Sequence, residues 1–394
     1  MRVAVFSLAH HPFEGGAEIA AKEIMRRLPY EFAVFTRRFG DYAPAAEKLG
    51  NIETIRIGNG SKNLYGDQLG KFFYIFRAWR AAEARHRKEP FTRIWAIMAA
   101  YGGASALLFK LRHPQIPFLL TLQEGDSEAH ILRRVGILYP LWKMIFKKAD
   151  YIQAISSYLA DFARRHGAGC PIEVVPNGVN VQGIRNQELE IRELKGQKKV
   201  VVTTSRLVYK NGINVLIRAA DELKKFRISS LEFRILIVGG GPLEQELKRL
   251  AKELNVTDVV EFTGQVSAEE IPSYLARADI FVRPSRSEGL GSSFLEAMAA
   301  GLPIIGTAVG GIPDFLKPYN PNDANENPNA ANGLFININD SHDLAEKLLL
   351  LLNEDNLRSR LGSNGRMLVI EKYSWDIVAK KMSNIFQLLT SMGI

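Results

Sequence analysis

Residues 284–303 read Pro-Ser-Arg-Ser-Glu-Gly-Leu-Gly-Ser-Ser-Phe-Leu-Glu-Ala-Met-Ala-Ala-Gly-Leu-Pro. Two carboxylates, Glu288 and Glu296, bracket a glycine-rich turn, Gly289-Leu290-Gly291-Ser292, that runs into a helical pattern. Bare backbone N–H groups at a helix N-terminus favour an anion such as a phosphate. Carboxylates on either side are acceptors for hydroxyl groups. A ligand with a diphosphate in its middle and a sugar at each end matches that layout.

Three further loops could face the same ligand. Gly15-Gly16 lets backbone approach closely just before a helix, although a Gly-Gly there also serves as a plain turn. Arg206 and Lys210 form a cationic pair at the end of an apolar run, suited to neutralising a diphosphate; alternatively Lys210 is solvated and Arg206 acts alone. Gly239-Gly240-Gly241-Pro242 is another strand, glycine turn and helix start, with Gly240 at its centre. It is not a Walker A loop, because no Gly-Lys-Ser/Thr follows. A fourth segment, Gln123-Glu124-Gly125-Asp126, follows an apolar run in the first half and offers groups for an acceptor hydroxyl or for positive charge on a sugar ring. An ordinary helix N-cap is the competing reading of Glu124 and Asp126.

The elements that must carry these loops alternate. Residues 3–8, 32–36, 94–98, 118–122, 151–155 and 172–175 read as buried strands, with helical patterns such as 17–28 and 156–166 between them. After a polar stretch at 178–199 the alternation restarts with strands at 200–204, 234–238, 259–262, 280–282 and 303–305. The fold class is therefore α/β: two doubly wound Rossmann-like domains, residues 1–180 and 195–373, facing across a cleft, with a final helix over 374–394. Residues 318–332 read as an irregular loop.

Taken together, the motifs resemble retaining glycosyltransferases of the glycogen-synthase and family-four type, with GT-B architecture. Glu288 and Glu296 match the E-x7-E motif, Gly15-Gly16-Ala17-Glu18 the GG-x-E loop, and Val238 to Pro242 the V-G-x-G-P segment. Pro176-Asn177-Gly178-Val179, Gly310-Gly311-Ile312-Pro313-Asp314 and Asn332-Gly333-Leu334-Phe335 match further landmarks in the same order. Two positions depart. In the R-L-x-x-x-K-G segment the lysine position holds Asn211, with Lys210 one residue earlier; and Gln123 stands where many members have a histidine.

The resemblance implies transfer of a sugar from a nucleotide-sugar donor, a UDP- or GDP-sugar, to a glycan or lipid-linked acceptor with retention of configuration, in cell-surface polysaccharide or glycolipid synthesis. It implies that Arg206, Lys210 and Glu288 are catalytic. The donor would be bound by Gly15, Gly16, Arg206, Lys210, Gly240, Glu288, Gly289, Leu290, Gly291, Ser292 and Glu296. Gln123, Glu124 and Asp126 would face the acceptor. No metal and no bound cofactor are expected. In the family the terminal helix returns to the first domain. A sugar-nucleotide hydrolase or epimerase, or a non-catalytic nucleotide-sugar-binding protein, is the alternative.

Composition narrows the class. The chain has 394 residues, 46% hydrophobic and 24% charged, as in an ordinary globular protein. Its single cysteine, Cys170, rules out an internal disulfide framework and any multi-cysteine metal site. The apolar run of residues 3–8 stops too early for a secretory leader, which points to a cytoplasmic protein. The net charge is +9, and residues 1–190 hold 26 Lys and Arg against 18 Asp and Glu. A nucleic-acid partner is not expected, since no nucleic-acid module accompanies that charge. Two basic helical stretches stand out: one carrying Leu69, Phe72, Phe73, Phe76 and Trp79, and one over 131–148, broken by Pro140. The favoured reading puts the aromatics in the core and the charges in solvent. The other is peripheral contact with an anionic membrane.

Overall fold

The computed structural model describes residues 1–12, 15–40, 43–61, 68–184, 198–226, 232–320 and 330–391. The proposed interdomain stretch at 180–195 lies partly outside them, as do Glu14 and most of the 318–332 loop. The chain divides into two compact units, Met1–Asn177 with Trp375–Ile394, and Gly178–Ser374.

The first unit is built on strands β1 (Arg2–Phe6), β2 (Glu31–Phe39), β3 (Ala46–Leu49), β4 (Ile52–Ser61), β5 (Arg93–Ile97), β6 (Phe118–Leu122), β7 (Tyr151–Ala154) and β8 (Ile172–Val174). Their order is β3-β4-β2-β1-β5-β6-β7-β8, parallel throughout except for the β3–β4 pair. β1, β5, β6 and β7 are apolar runs buried on both faces, as a parallel sheet covered by helices requires. The helices are α1 (Gly16–Arg27), α2 (Gln68–Lys88), α3 (Tyr101–Arg112), α4 (Glu128–Val135), α5 (Tyr139–Lys148) and α6 (Ser157–Arg165). The terminal helix, Trp375–Ser391, packs Val378, Met382, Ile385 and Phe386 into the same core as Val3, Phe32, Trp95 and the α1 alanines.

Three sequence readings need correction here. β3 and β4 are absent from the sequence-based strand set, because Ile52 to Ser61 alternates apolar with polar residues instead of forming a continuous apolar run. The 131–148 stretch is not one helix broken at Pro140. It breaks at Gly136, in a short 3-10 turn, and Pro140 sits in the first turn of α5, where a missing N–H costs nothing. Finally, most of the apolar stripe of α2 expected in the core lies outside it. Leu69, Phe72, Phe73 and Phe76 are 73%, 45%, 54% and 42% exposed, while Lys71, Tyr74, Ala78 and Ala82 face inward.

The second unit has strands β9 (Lys199–Thr204), β10 (Phe233–Val238), β11 (Val260–Gly264), β12 (Ile280–Arg283), β13 (Ile304–Thr307) and β14 (Gly333–Ile336), all parallel, in the order β11-β10-β9-β12-β13-β14. Helices α7 (Ile213–Lys225), α8 (Glu244–Glu253), α9 (Ile271–Ala276), α10 (Ser292–Ala299), α11 (Ile312–Phe315), α12 (Ser341–Asn353) and α13 (Asp355–Lys372) complete it. Strand order reverses between β9 and β12. In open parallel sheets that reversal opens a crevice at the carboxyl ends, where ligands bind. In the first unit the reversal lies between β1 and β5.

Candidate active site

Arg206 and Lys210 lie in the loop leaving β9, Glu288 in the loop leaving β12 and Glu296 on α10 just after it, so the four candidates belong to the two segments that flank the switch point of the second unit. β9 ends at Thr204, and Arg206 lies two residues beyond it, exposed, rather than ending the strand itself. Its backbone is fixed by neighbours. The Leu207 amide donates to the Gly240 carbonyl at 2.9 Å, and the Leu243 amide to the Leu207 carbonyl at 3.1 Å. The triple glycine is what allows this approach. Gly239 has φ 129°, and a Cβ on it would meet the Ser205 carbonyl oxygen at 2.1 Å. The glycines therefore serve loop packing first, and Gly240, whose added Cβ meets only Gln265 at 3.2 Å, is the most open of the three.

The displaced lysine has a structural reason. Tyr209–Asn211 form a 3-10 turn. Asn211, at the family's lysine position, turns inward and donates from Nδ2 to the Arg206 carbonyl at 2.6 Å. Lys210 is left half-buried at the loop surface. Arg286, which sequence reasoning passed over, ties this turn to the acidic loop. Its Nη1 donates to the Tyr209 carbonyl at 2.6 Å, and its guanidinium lies 4.3 Å over the Tyr209 ring. Its own amide donates to the Lys210 carbonyl at 2.6 Å.

The acidic loop is organised by a second missed residue. Arg283, the last residue of β12, is buried, forms an ion pair with Glu288, and donates to the Ser293 hydroxyl at 2.6 Å and the Ser285 hydroxyl at 3.2 Å. Burial pushes its own pKa down to about 10, against the pull of Glu296. Glu288 also accepts from the Gly289 amide at 3.1 Å. With two of about four acceptor sites engaged, its carboxylate keeps capacity for ligand hydroxyls. Glu296 is half-buried on α10. Desolvation pushes its pKa up to about 7, with Arg283 opposing. Gly291 caps α10 with φ 96°, and Leu290 is buried behind the turn.

Gly310 fixes the position of Glu288. Its φ is 54°, and an added Cβ would stand 1.7 Å from the Glu288 carbonyl oxygen. Gly310→Ala should therefore cost about 2 kcal/mol or more in urea unfolding, with nucleotide affinity falling in parallel. An unchanged midpoint would mean that the loop gives way freely.

In the first unit, Gly15 and Gly16 are exposed at the start of α1. Glu18 is spent locally: its Oε2 accepts from the Gly15 amide at 3.0 Å, so it caps the helix. Gln123 is buried, and its Oε1 accepts from Asn177 Nδ2 at 3.0 Å. The Asn of the Pro-Asn-Gly-Val segment thus holds the side chain that replaces the family histidine. Glu124 reaches the loop after β5, where Oε1 accepts from the Ala99 amide at 2.6 Å; Oε2 is buried with no hydrogen-bond partner among the described residues. Desolvation pushes the Glu124 pKa up to about 7. Neither Glu124 nor Asp126 caps α4. Ser127 does, accepting from the His130 amide, while Asp126 pairs with Arg134 at 3.5 Å. Among the described residues no group of three or more His, Cys, Asp or Glu is arranged to hold a metal, and no helix is long and apolar enough to cross a membrane.

Residues 185–367 match the family model of glycosyl transferases group 1, and residues 14–182 that of glycosyltransferase family 4. The chain belongs to this glycosyltransferase family. Over 270 residues it is 31% identical to a GDP-mannose-dependent alpha-(1-6)-phosphatidylinositol monomannoside mannosyltransferase of Mycobacterium tuberculosis, a match spanning 65% of this chain and 64% of that relative. Among solved structures, the glycosyltransferase is similar to sucrose-phosphate synthase of Thermosynechococcus elongatus, with TM-score 0.80 at 22% identity over 99% of each chain. It is also similar to Anabaena HepE in complex with UDP-glucose, with TM-score 0.74 at 16% identity over 98% and 99% of the two chains. Those likenesses establish the fold.

Proposed function

We propose that this glycosyltransferase moves a sugar from a UDP- or GDP-sugar to a glycan or lipid-linked acceptor with retention of anomeric configuration. The observation that supports the reading is the placement of Arg206, Lys210, Glu288 and Glu296 on the two segments that leave β9 and β12 at the switch point. GDP-mannose is the first donor to try, since it is named for the mycobacterial relative.

In this scheme Glu296 accepts the ribose hydroxyls and Glu288 the hydroxyls of the donor sugar. The bond between the anomeric carbon and the diphosphate oxygen breaks through an oxocarbenium-like transition state. Arg206, Lys210 and the amides around Leu290 to Ser292 stabilise the charge that develops on the leaving diphosphate. The acceptor oxygen attacks from the same face, and its proton passes to the departing phosphate oxygen. Gln123, Glu124 and Asp126 orient the acceptor. This step uses no protein nucleophile, so a glutamine at position 123 is compatible with it.

The test is an incubation with GDP-mannose or UDP-glucose and a membrane lipid extract, followed by mass and anomeric analysis of the product. Transfer only when donor and acceptor are both present, with the donor's configuration kept, supports the proposal. Free sugar released at the same rate without acceptor contradicts it and marks a hydrolase.

Glu296 gives the reading a pH signature. The ribose hydroxyls need an ionised acceptor, and a group with a pKa of about 7 is about a tenth ionised one unit below it. Nucleotide affinity should therefore be about tenfold weaker at pH 6 than at pH 8. In calorimetry Glu296→Gln should bind weakly at both values and lose the slope. A slope that survives the substitution would assign it to another group.

A further inference from the structure

The face that α2 turns to solvent is segregated along its length. Leu69, Phe72, Phe73 and Phe76 occupy its first two turns and are all well exposed, with Phe72 in edge contact with both other rings. Exposed Arg77 and Arg80 follow directly. The helix holds six Lys or Arg against one acid, Glu83, which is buried and accepts from Trp79 Nε1 at 3.1 Å. The outward face is thus an apolar tip with a basic collar, and no acidic side chain interrupts it.

The direction of the tip is fixed. The Tyr74 hydroxyl lies 2.9 Å from the carbonyl of Ser7, just past the carboxyl end of β1, and 2.8 Å from that of Phe35, the β2 residue paired with Phe6 at that end. At the other end of α2, Arg85 pairs with Glu53 near the start of β4. The aromatic tip therefore stands at the carboxyl edge of the first unit's sheet, the edge from which Gly15-Gly16 and Gln123 to Asp126 emerge.

We propose that the N-terminal end of α2 docks the first unit on an anionic lipid bilayer. The apolar turns cover about 10 Å of helix, close to the depth at which interfacial segments settle below the headgroups. Arg77 and Arg80 then lie at headgroup level, where each charge strengthens attachment by about fivefold. A soluble acidic partner would match the arginines but leave the cluster of three phenylalanines in water. Docking at this edge presents the acceptor-side loops to the membrane surface, which deepens the lipid-linked branch of the proposed function. The docking itself requires neither donor nor acceptor, so it stands or falls separately from the transferase reading.

The test is cosedimentation of the full chain with vesicles of phosphatidylcholine, with and without phosphatidylglycerol, at two salt concentrations. The expected result is binding that needs phosphatidylglycerol and weakens with salt. A Phe72→Ser, Phe73→Ser, Phe76→Ser triple variant should lose at least about tenfold in affinity. Arg77→Gln with Arg80→Gln should flatten the salt dependence. Nucleotide affinity and the unfolding midpoint should be unchanged in both, which separates docking from folding. No binding to anionic vesicles at low salt, or equal binding by the triple variant, overturns the proposal. So does a wild type that dimerises through this face while the triple variant stays monomeric and neither binds vesicles.

Discussion

Replacing Arg206 with alanine lowers turnover by about a hundred- to a thousandfold, the range seen when one preorganised donor to a developing charge is removed. The argument rests on how the residue is held. Its side chain is exposed, while its backbone is fixed by Asn211 Nδ2 and by the Gly239–Gly241 loop. Alanine removes the guanidinium and leaves these backbone contacts in place. In the proposed reaction the diphosphate, already dianionic, gains a further negative charge as the glycosidic bond breaks, so kcat falls more than donor KM rises. Lys210→Ala produces a smaller loss of the same kind, because its ammonium is a more strongly hydrated point charge than a guanidinium fork. Steady-state release of the nucleoside diphosphate measures both. An unaffected rate for Arg206→Ala would place the phosphate clamp elsewhere.

Arg283→Met destabilises the protein by about 3–5 kcal/mol, the cost of breaking a buried ion pair from one side. Arg283 faces both motif glutamates: it pairs directly with Glu288 and lowers the otherwise raised pKa of Glu296. Without it, both carboxylates lose a compensating charge, and the folded-state pKa of Glu296, already raised, rises further above the unfolded value. A carboxylate with a raised folded-state pKa contributes stability that is fully present below the unfolded pKa and is lost as pH rises through the folded pKa. The gap between variant and wild type should therefore be smaller at pH 5.5 than at pH 8, as read by urea unfolding. A variant as stable as wild type at pH 8 would mean that water or another cation compensates the pair. Methionine keeps the length and apolar stem of the side chain, which confines the change to charge and hydrogen bonding.

The acidic loop was legible in the sequence because its chemistry is local. A glycine turn, a helix start and two glutamates eight residues apart are read off one segment. The alternation of strands and helices was equally legible, because continuous apolar runs such as Ile94 to Ile97 mark buried parallel strands. What escaped depends on contacts between distant residues. Nothing near Glu124 in the sequence points to the Ala99 amide, and nothing near Lys210 points to Arg286. Arg283 was passed over because an arginine ending an apolar strand gives no sign of facing inward. In α2 two stripes share helical spacing, one aromatic and one of Lys71, Tyr74, Ala78 and Ala82. Hydrophobicity favours burying the first, yet it is the Tyr74 hydroxyl, reaching the Ser7 and Phe35 carbonyls, that faces the sheet. Periodicity identifies a face, and only the neighbouring elements decide which face is covered.

The central claim is that the β9/β12 crevice takes a nucleotide sugar, and thermal shift with UDP, GDP, ADP, CDP and dTDP tests it most directly. A ligand that binds only the native state must raise its stability. The account predicts a clear rise with one of these nucleotides, UDP or GDP, that disappears in Arg206→Ala and Glu296→Ala. No rise with any of the five at millimolar concentration, or a rise that both variants retain, would contradict it.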